Sequence, residues 1–348
     1  MTPEEGRALF PVLERLAYLN AGTFGPIARP TAEAVQAQLD LELAQGRFGK
    51  EYFERVLGLR AEARAALGSL VGAAPELVSL TGSTTDGCNI VLAGLDLGPE
   101  DEVVTTREEH FGLLGPVHAS GARAVVVDAE PDAIVAAVTP RTRLLALSQV
   151  LWTTGRALPV RELRAQTGVP VLVDGAQSVG AIPVGVEGVD FLTISGQKWL
   201  CGPDATGGLV VADPERLRVA RPSYFSQTAY EETGSFEPAV GAARFDPGWI
   251  ATASLAGLVT ALGLPPEWRF ERAAEQTARC RRLLEPLVEV VRGDATLVAF
   301  RAEDPPALVE KLFAAGVVVR DLPGTGLVRV ACGWWTNDED LDRLVAAL

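Results

Sequence analysis

The sequence is short of the residues that metal sites, disulfide frameworks and nucleic-acid surfaces require. Its four cysteines, Cys88, Cys201, Cys280 and Cys332, are scattered over 348 residues. That spacing gives neither a secreted disulfide framework nor a paired metal motif. With only two histidines, His110 and His118, no zinc or iron site is expected. Positive charge is outnumbered, with 31 Lys and Arg against 45 Asp and Glu. A formal net charge of −14 argues against nucleic acid or an anionic membrane surface as partner, since either needs a basic face. No apolar run has the length of a membrane span, and MTPEEGRALF lacks the basic and apolar regions of a signal peptide. These absences lead us to expect a soluble, cytoplasmic protein. No Gly-Lys-Ser/Thr phosphate loop and no Gly-x-Gly-x-x-Gly turn follows any predicted strand, which disfavours a nucleoside triphosphate or a dinucleotide.

Lysine is the rarest cation, at three residues: Lys50, Lys198 and Lys311. Arginine forms a salt bridge as well as lysine does, but it cannot lose its proton to become a nucleophile. A lysine kept in an arginine-rich chain therefore points to amine chemistry where its surroundings suit it. Lys198 has such surroundings. It follows the apolar run Phe191–Ile194 and lies in Ser195-Gly196-Gln197-Lys198, while a second apolar run, Val171–Val173, ends in Asp174. Both runs read as buried parallel strands, and open α/β sheets build their sites at such carboxyl ends.

The rest of the chain supports that frame. Short apolar runs near 78–81, 102–105, 124–127, 144–148, 171–173, 191–194 and 208–211 are separated mostly by helical segments. This alternation predicts an α/β fold with a mostly parallel seven-stranded sheet between helices. A helix over 267–291, interrupted or ended by Pro286, a strand–helix–strand–strand–helix pattern from 295 to 348, and a capping box Thr336-x-x-Glu339 predict a smaller α+β C-terminal domain. The expected division is 21–250 for the large domain and 1–20 with 251–348 for the small one. Residues 221–250 read as irregular surface or interface.

Four features converge on one cofactor. Gly82-Ser83-Thr84-Thr85 lies between a strand and a helix and offers backbone N–H groups and hydroxyls to a single phosphate. Asp174 could pair with a protonated pyridine nitrogen. Lys198 could form a Schiff base with an aldehyde. His110, beyond the strand near 102–105, could stack on a flat ring. A phosphate, a pyridinium, an aldehyde and a planar ring together describe pyridoxal 5′-phosphate, an electron sink for substrate carbanions.

These motifs resemble the class V aminotransferase family of pyridoxal-phosphate fold type I, the branch holding cysteine desulfurases and isopenicillin N epimerase-like proteins. The resemblance runs from YLNAGTFGP through LTGSTTDGCN, REEHFG, SQVLWTTG and VDGAQSVG…DFLTISGQKWLCGP to VRVACGWWTNDEDLD. It implies that Lys198 carries the Schiff base, Asp174 pairs with the pyridine nitrogen, Gln177 reaches the phenolic oxygen and His110 stacks on the ring. It also implies that Thr84, Thr85 and Ser195 hold the phosphate, that Arg329 clamps the substrate carboxylate, and that two subunits form a homodimer with sites near the interface.

The departures from the family pattern are as informative. Gln197 stands where histidine is common, and Gln149 and Trp152 stand where desulfurases carry His and Asn; Trp152 is read as a pocket wall. Trp249 occupies the place of a threonine that reaches the partner's phosphate, with Thr252 a possible substitute. The segment 320–326 lacks the desulfurase loop cysteine. The resulting expectation is a pyridoxal-phosphate enzyme acting on an α-amino acid or a related amine, first an aminotransferase, with a C–S or other lyase or an epimerase as alternatives. Persulfide-forming desulfuration is disfavoured, and a non-catalytic cofactor-binding homologue is the remaining alternative.

Overall fold

The computed structural model describes all 348 residues. The chain opens with α1 (Pro3–Ala8) and β1 (Ala17–Tyr18), then two long helices, α2 (Arg29–Gln45) and α3 (Gly49–Val71). Strands and helices then alternate as β2 (Val78–Thr81), α4 (Thr84–Gly94), β3 (Glu102–Thr106), α5 (Phe111–Ala119), β4 (Arg123–Val127) and α6 (Pro131–Ala136). The series continues with β5 (Thr142–Ser148), α7 (Val160–Thr167), β6 (Val171–Asp174), β7 (Phe191–Ser195) and β8 (Gly207–Val211). A hairpin, β9 (Gln227–Tyr230) and β10 (Phe236–Pro238), lies within the stretch read as irregular, ahead of α8 (Thr252–Gly263) and α9 (Arg269–Leu284). The chain ends with β11 (Leu297–Arg301), α10 (Pro305–Ala314), β12 (Val317–Val318), β13 (Arg320–Leu322), β14 (Leu327–Ala331) and α11 (Asp338–Ala347).

Seven strands form one sheet in the order β2-β8-β7-β6-β5-β3-β4. The pairs joining β4, β3, β5, β6 and β7 are parallel, and only β8 runs antiparallel to its neighbours β7 and β2. Every residue of β6 and β7 is buried, which is why their sequences read as almost unbroken apolar runs. Helices cover both faces: one core holds Leu67, Val104, Leu145, Val173 and Ile194, and the other holds Val91, Val103, Leu113, Leu144 and Leu172. A separate three-stranded sheet, β11-β14-β13, builds a third core with α9, α10 and α11 around Phe300, Leu312, Val330 and Leu341.

Three local details differ from the sequence reading. Helix α9 stops at Leu284, before Pro286, whose ring and missing N–H do not fit a helix interior. The last helix has its capping box one residue later than expected, at Asn337 and Asp340. Thr336 instead accepts the N–H of Gly333 and holds the turn ahead of the cap. Helix α8, though beyond residue 250, buries Leu255 and Leu258 in the first core of the large sheet.

The parallel strands align the residues that matter. Ser148 at the end of β5 registers with Asp174, and Asp174 registers with Thr193 on β7. The carboxyl ends of β2, β3, β5, β6 and β7 therefore open onto one edge, and each leads into a turn carrying polar side chains.

Candidate active site

The pocket at that edge has a volume of about 260 Å³ and brings together segments from the whole chain. Its walls include Gly22, Thr23 and Phe24 from the N-terminal loop, and Ser83, Thr84 and Thr85 at the start of α4. His110, Trp152, Gln177, Ser195, Gln197 and Lys198 follow, with Arg320 and Arg329 from the smaller sheet. The structure thus places eight of the nine expected site residues around one pocket. Asp174 lies just behind it, 3% exposed at the end of β6, with one carboxylate oxygen accepting the Ala176 N–H at 2.9 Å.

At the start of α4, Ser83 caps the helix by accepting the Asp86 N–H at 3.1 Å, so Thr84 and Thr85 open the first helical turn. Helix starts leave backbone N–H groups without intrahelical partners and concentrate positive potential there. Ser195 donates to the Gln197 carboxamide oxygen at 2.7 Å, which leaves the Gln197 NH₂ for the cavity. The side chains that line this corner are neutral, while Asp86 of the same first turn accepts the Gly82 N–H at 3.2 Å.

Lys198 follows a turn that is gripped by the N-terminal loop. A Cβ on Gly25 would collide with the Lys198 carbonyl, and the Gly25 N–H donates to the Gln197 carbonyl at 2.8 Å. Glycine is needed there for close approach. Burial brings the Lys198 amine down to about 8; Asp174 opposes this, while Arg329 and Arg320 add to it. A neutral amine is the nucleophilic form, so this shift suits imine chemistry near neutral pH.

His110 caps α5, its Nδ1 accepting the Gly112 N–H at 3.0 Å. In the neutral ring Nε2 then carries the proton. Burial lowers its pKa, with Lys198 adding to the effect and Asp174 opposing it. Trp152 meets this ring edge-on, with centroids 5.1 Å apart at 85°. The carboxamide of Gln177 donates to the Gly22 carbonyl at 2.8 Å and accepts from the Trp199 indole at 3.0 Å, so much of its capacity ties the N-terminal loop to the Lys198 turn.

Arg329 on β14 is 2% exposed and donates to the Trp152 carbonyl at 2.7 Å and to the Thr23 hydroxyl at 3.1 Å. Arg320, directly opposite on β13, reaches the same hydroxyl at 3.3 Å. Burial and the nearby Arg320 disfavour the Arg329 charge, and the Arg329 Nε–H has no partner. Two converging guanidiniums bonded only to neutral groups make a site for an acid group. Sequence reasoning missed Arg320 and Thr23. In the sequence Arg320 stands out only as part of a segment lacking cysteine, and the strand–turn–strand pattern around 323–326 is the signal that it faces Arg329.

None of the four thiols reaches the pocket. All are buried, and burial pushes those of Cys88 and Cys201 up. Near the expected cross-subunit position, Thr252 is buried and donates to Glu42 of its own chain, while Trp249 is 61% exposed.

Comparison with known proteins agrees with this geometry. The family described as "Aminotransferase class-V" matches residues 20–308. The chain belongs to the class V aminotransferase family. It is 29% identical to isopenicillin N epimerase from Streptomyces clavuligerus, over 99% of this chain and 97% of that protein. It is 30% identical to a cysteine desulfurase from Enterobacter sp. (strain 638), again over 99% and 97%. Among solved structures, a mutant of C-DES with glycine covalently linked to the PLP cofactor superposes with a TM-score of 0.91. Identity there is 29%, over 98% of each chain. The complex of the cystine C–S lyase C-DES with its product cysteine persulfide gives 0.90 at 30% identity, over 97% of this chain and 98% of that one.

This class V chain has pyridoxal 5′-phosphate as its cofactor. The residues present fit it: a buried amine of lowered pKa, a carboxylate beside it, and a helix start ringed by hydroxyls. No helix is long and apolar enough to cross a membrane.

Proposed function

We propose that this class V enzyme cleaves a carbon–sulfur bond in an α-amino acid carrying a second acid group, by elimination and not by persulfide transfer to a cysteine. The observation that carries this reading is a pocket shared by Lys198 and two guanidiniums without ion pairs, with no thiol on its wall. The likeness to C-DES over nearly both whole chains supports it.

Bound in the pocket, pyridoxal 5′-phosphate supplies an aldehyde for the substrate amine and a ring that draws electrons from the α-carbon. Lys198 would hold that aldehyde, and its amine would move a proton at the substrate α-carbon. Asp174 would keep the ring nitrogen protonated, and His110 would stack on the ring. Ser83, Thr84, Thr85, Ser195 and Gln197 would hold the phosphate. Arg329 takes the α-carboxylate, Arg320 takes the second acid group, and Trp152 walls the side while its carbonyl orients Arg329. A wall with one proton-moving amine suits elimination or transamination better than two-sided epimerisation.

The test is product analysis on the purified holoenzyme. With cystine, one water is consumed, and pyruvate, ammonia and cysteine persulfide should form in equal amounts. An oxo acid appearing without ammonia would overturn elimination in favour of aminotransfer. That second reading draws on the same two arginines, which could take the two acid groups of a dicarboxylate donor.

The reading includes a homodimer. Leu39, Leu43, Phe48, Leu57, Tyr224 and Trp249 are large apolar side chains left 45–86% exposed on α2, α3 and the adjoining loops. Tyr224 and Trp249 stack with centroids 6.3 Å apart, and Phe53 joins them edge-on. Large apolar side chains exposed in this way support an interface between subunits. The protein should run as a dimer in analytical ultracentrifugation, and Trp249→Glu should raise the dissociation constant at least about tenfold, as loss of a buried aromatic anchor does. An unchanged dimer in that variant would remove this face from the interface.

A further inference from the structure

Glu109 is a buried carboxylate that the proposed reaction does not use. It precedes His110, is 4% exposed, and has neutral groups as its hydrogen-bond donors. One oxygen accepts the Thr106 hydroxyl at 3.1 Å and the Ser148 N–H at 3.0 Å; the other accepts the Ser148 hydroxyl. Thr106 ends β3, and Ser148 ends β5 opposite Asp174 on β6. Burial, helped by Asp174, raises its carboxyl to about 7 against the pull of those hydrogen bonds. An apolar side chain would fill this place at less cost, so packing alone does not account for a carboxylate here.

Its location suggests what it does. At the end of β3 the chain must leave the sheet and deliver His110 to the pocket. Downstream, the ring is held by its cap on α5. Upstream, the Glu109 carboxyl group ties this turn to the end of β5, while Glu108 reaches only the loop beyond it, at Thr153 and Arg156.

We propose that Glu109 is a positioning residue, which clasps the ends of β3 and β5 and thereby fixes the His110 ring against the cofactor, in register with Asp174. This rests on the reading of His110 and Lys198 given above. The clasp works through hydrogen bonds and not through charge. Glutamine keeps one oxygen for Thr106 and the Ser148 N–H, and its NH₂ can donate to the Ser148 hydroxyl, which accepts as readily as it donates.

The experiment compares holoenzymes of the wild type, Glu109→Ala, Glu109→Gln and Ser148→Ala. Borohydride should fix the cofactor onto Lys198 in all four. Glu109→Ala should lose about 10- to 100-fold in kcat, the scale of a modest misplacement of reacting groups, with KM little changed. Its visible circular dichroism from the bound cofactor should weaken as the ring loses a fixed orientation. Glu109→Gln should restore most of both signals, and Ser148→Ala should show a smaller loss of the same kind. Wild-type dichroism and kcat in Glu109→Ala would overturn the proposal, as would damage in Glu109→Gln equal to that in Glu109→Ala. If the alanine variant does not fold, an unaltered dichroism in Ser148→Ala overturns it. Failure of the wild type to be fixed on Lys198 would instead overturn the reading of the whole site.

Discussion

Lys198→Ala is expected to abolish turnover, with a loss of at least about 10⁴-fold, because on the proposed reading one side chain supplies both the attachment point and the proton transfer at the α-carbon. Borohydride should no longer fix the cofactor to the chain, and the yellow colour of the covalent form should be lost on dialysis. Arginine cannot rescue the site, because its guanidinium stays protonated and cannot form an imine. The amine also predicts a pH dependence. Burial sets the Lys198 amine near 8, so its nucleophilic fraction rises as pH approaches 8 and levels off above it. The rate at which the apoprotein takes up cofactor should follow that curve. Covalent attachment persisting unchanged in Lys198→Ala would refute the assignment.

Asp174→Ala should bind the cofactor and still attach it to Lys198, yet lose about 10²- to 10³-fold in kcat, the size of losing a preorganised charge partner. A ring nitrogen without its carboxylate gives up its proton more easily and draws electrons less strongly. The substitution has a second, measurable consequence. Asp174 raises the Lys198 pKa against the pull of burial, so its removal should move the midpoint of cofactor uptake to lower pH. KM should change little, since on the proposed reading the substrate acid groups meet Arg329 and Arg320. Undiminished kcat in Asp174→Ala would show that the carboxylate holds the fold and not the ring.

How much of this could be read from the residues depends on how far apart they lie in the chain. Asp174 and Lys198 sit in one stretch of alternating buried strands and turns, and burial of both sheet faces makes those strands unmistakable. The register between β6 and β7 then follows from their being parallel neighbours. The Ser83–Thr85 corner was legible for the same reason: a strand end, a cap and a helix start are contiguous in sequence. The hairpin at 227–238 was not, because its strands are short and solvent-facing and lack the apolar alternation that marks a strand. The capping box was displaced by one residue, since Thr336 and Asn337 are both good caps and only the path of the turn selects between them.

The anion site shows the opposite case. Thr23 and Arg329 are separated by 306 positions, and their hydrogen bond exists only because the N-terminal loop packs under the smaller sheet. A Cβ on Gly22 would come within 2.8 Å of the Arg329 guanidinium, so the loop's apolar, glycine-rich composition, conspicuous in the sequence, has a purpose visible only in three dimensions. Sequence by itself determined the cofactor chemistry: a rare lysine, a strand-end carboxylate and a hydroxyl-rich helix start are local features, fixed by residue type and spacing. The tertiary structure alone decided that Arg320 stands opposite Arg329, that both share Thr23, and that no thiol reaches them. Those facts depend on long-range packing, and buried backbone register, not neighbouring residues, determines which side chains meet.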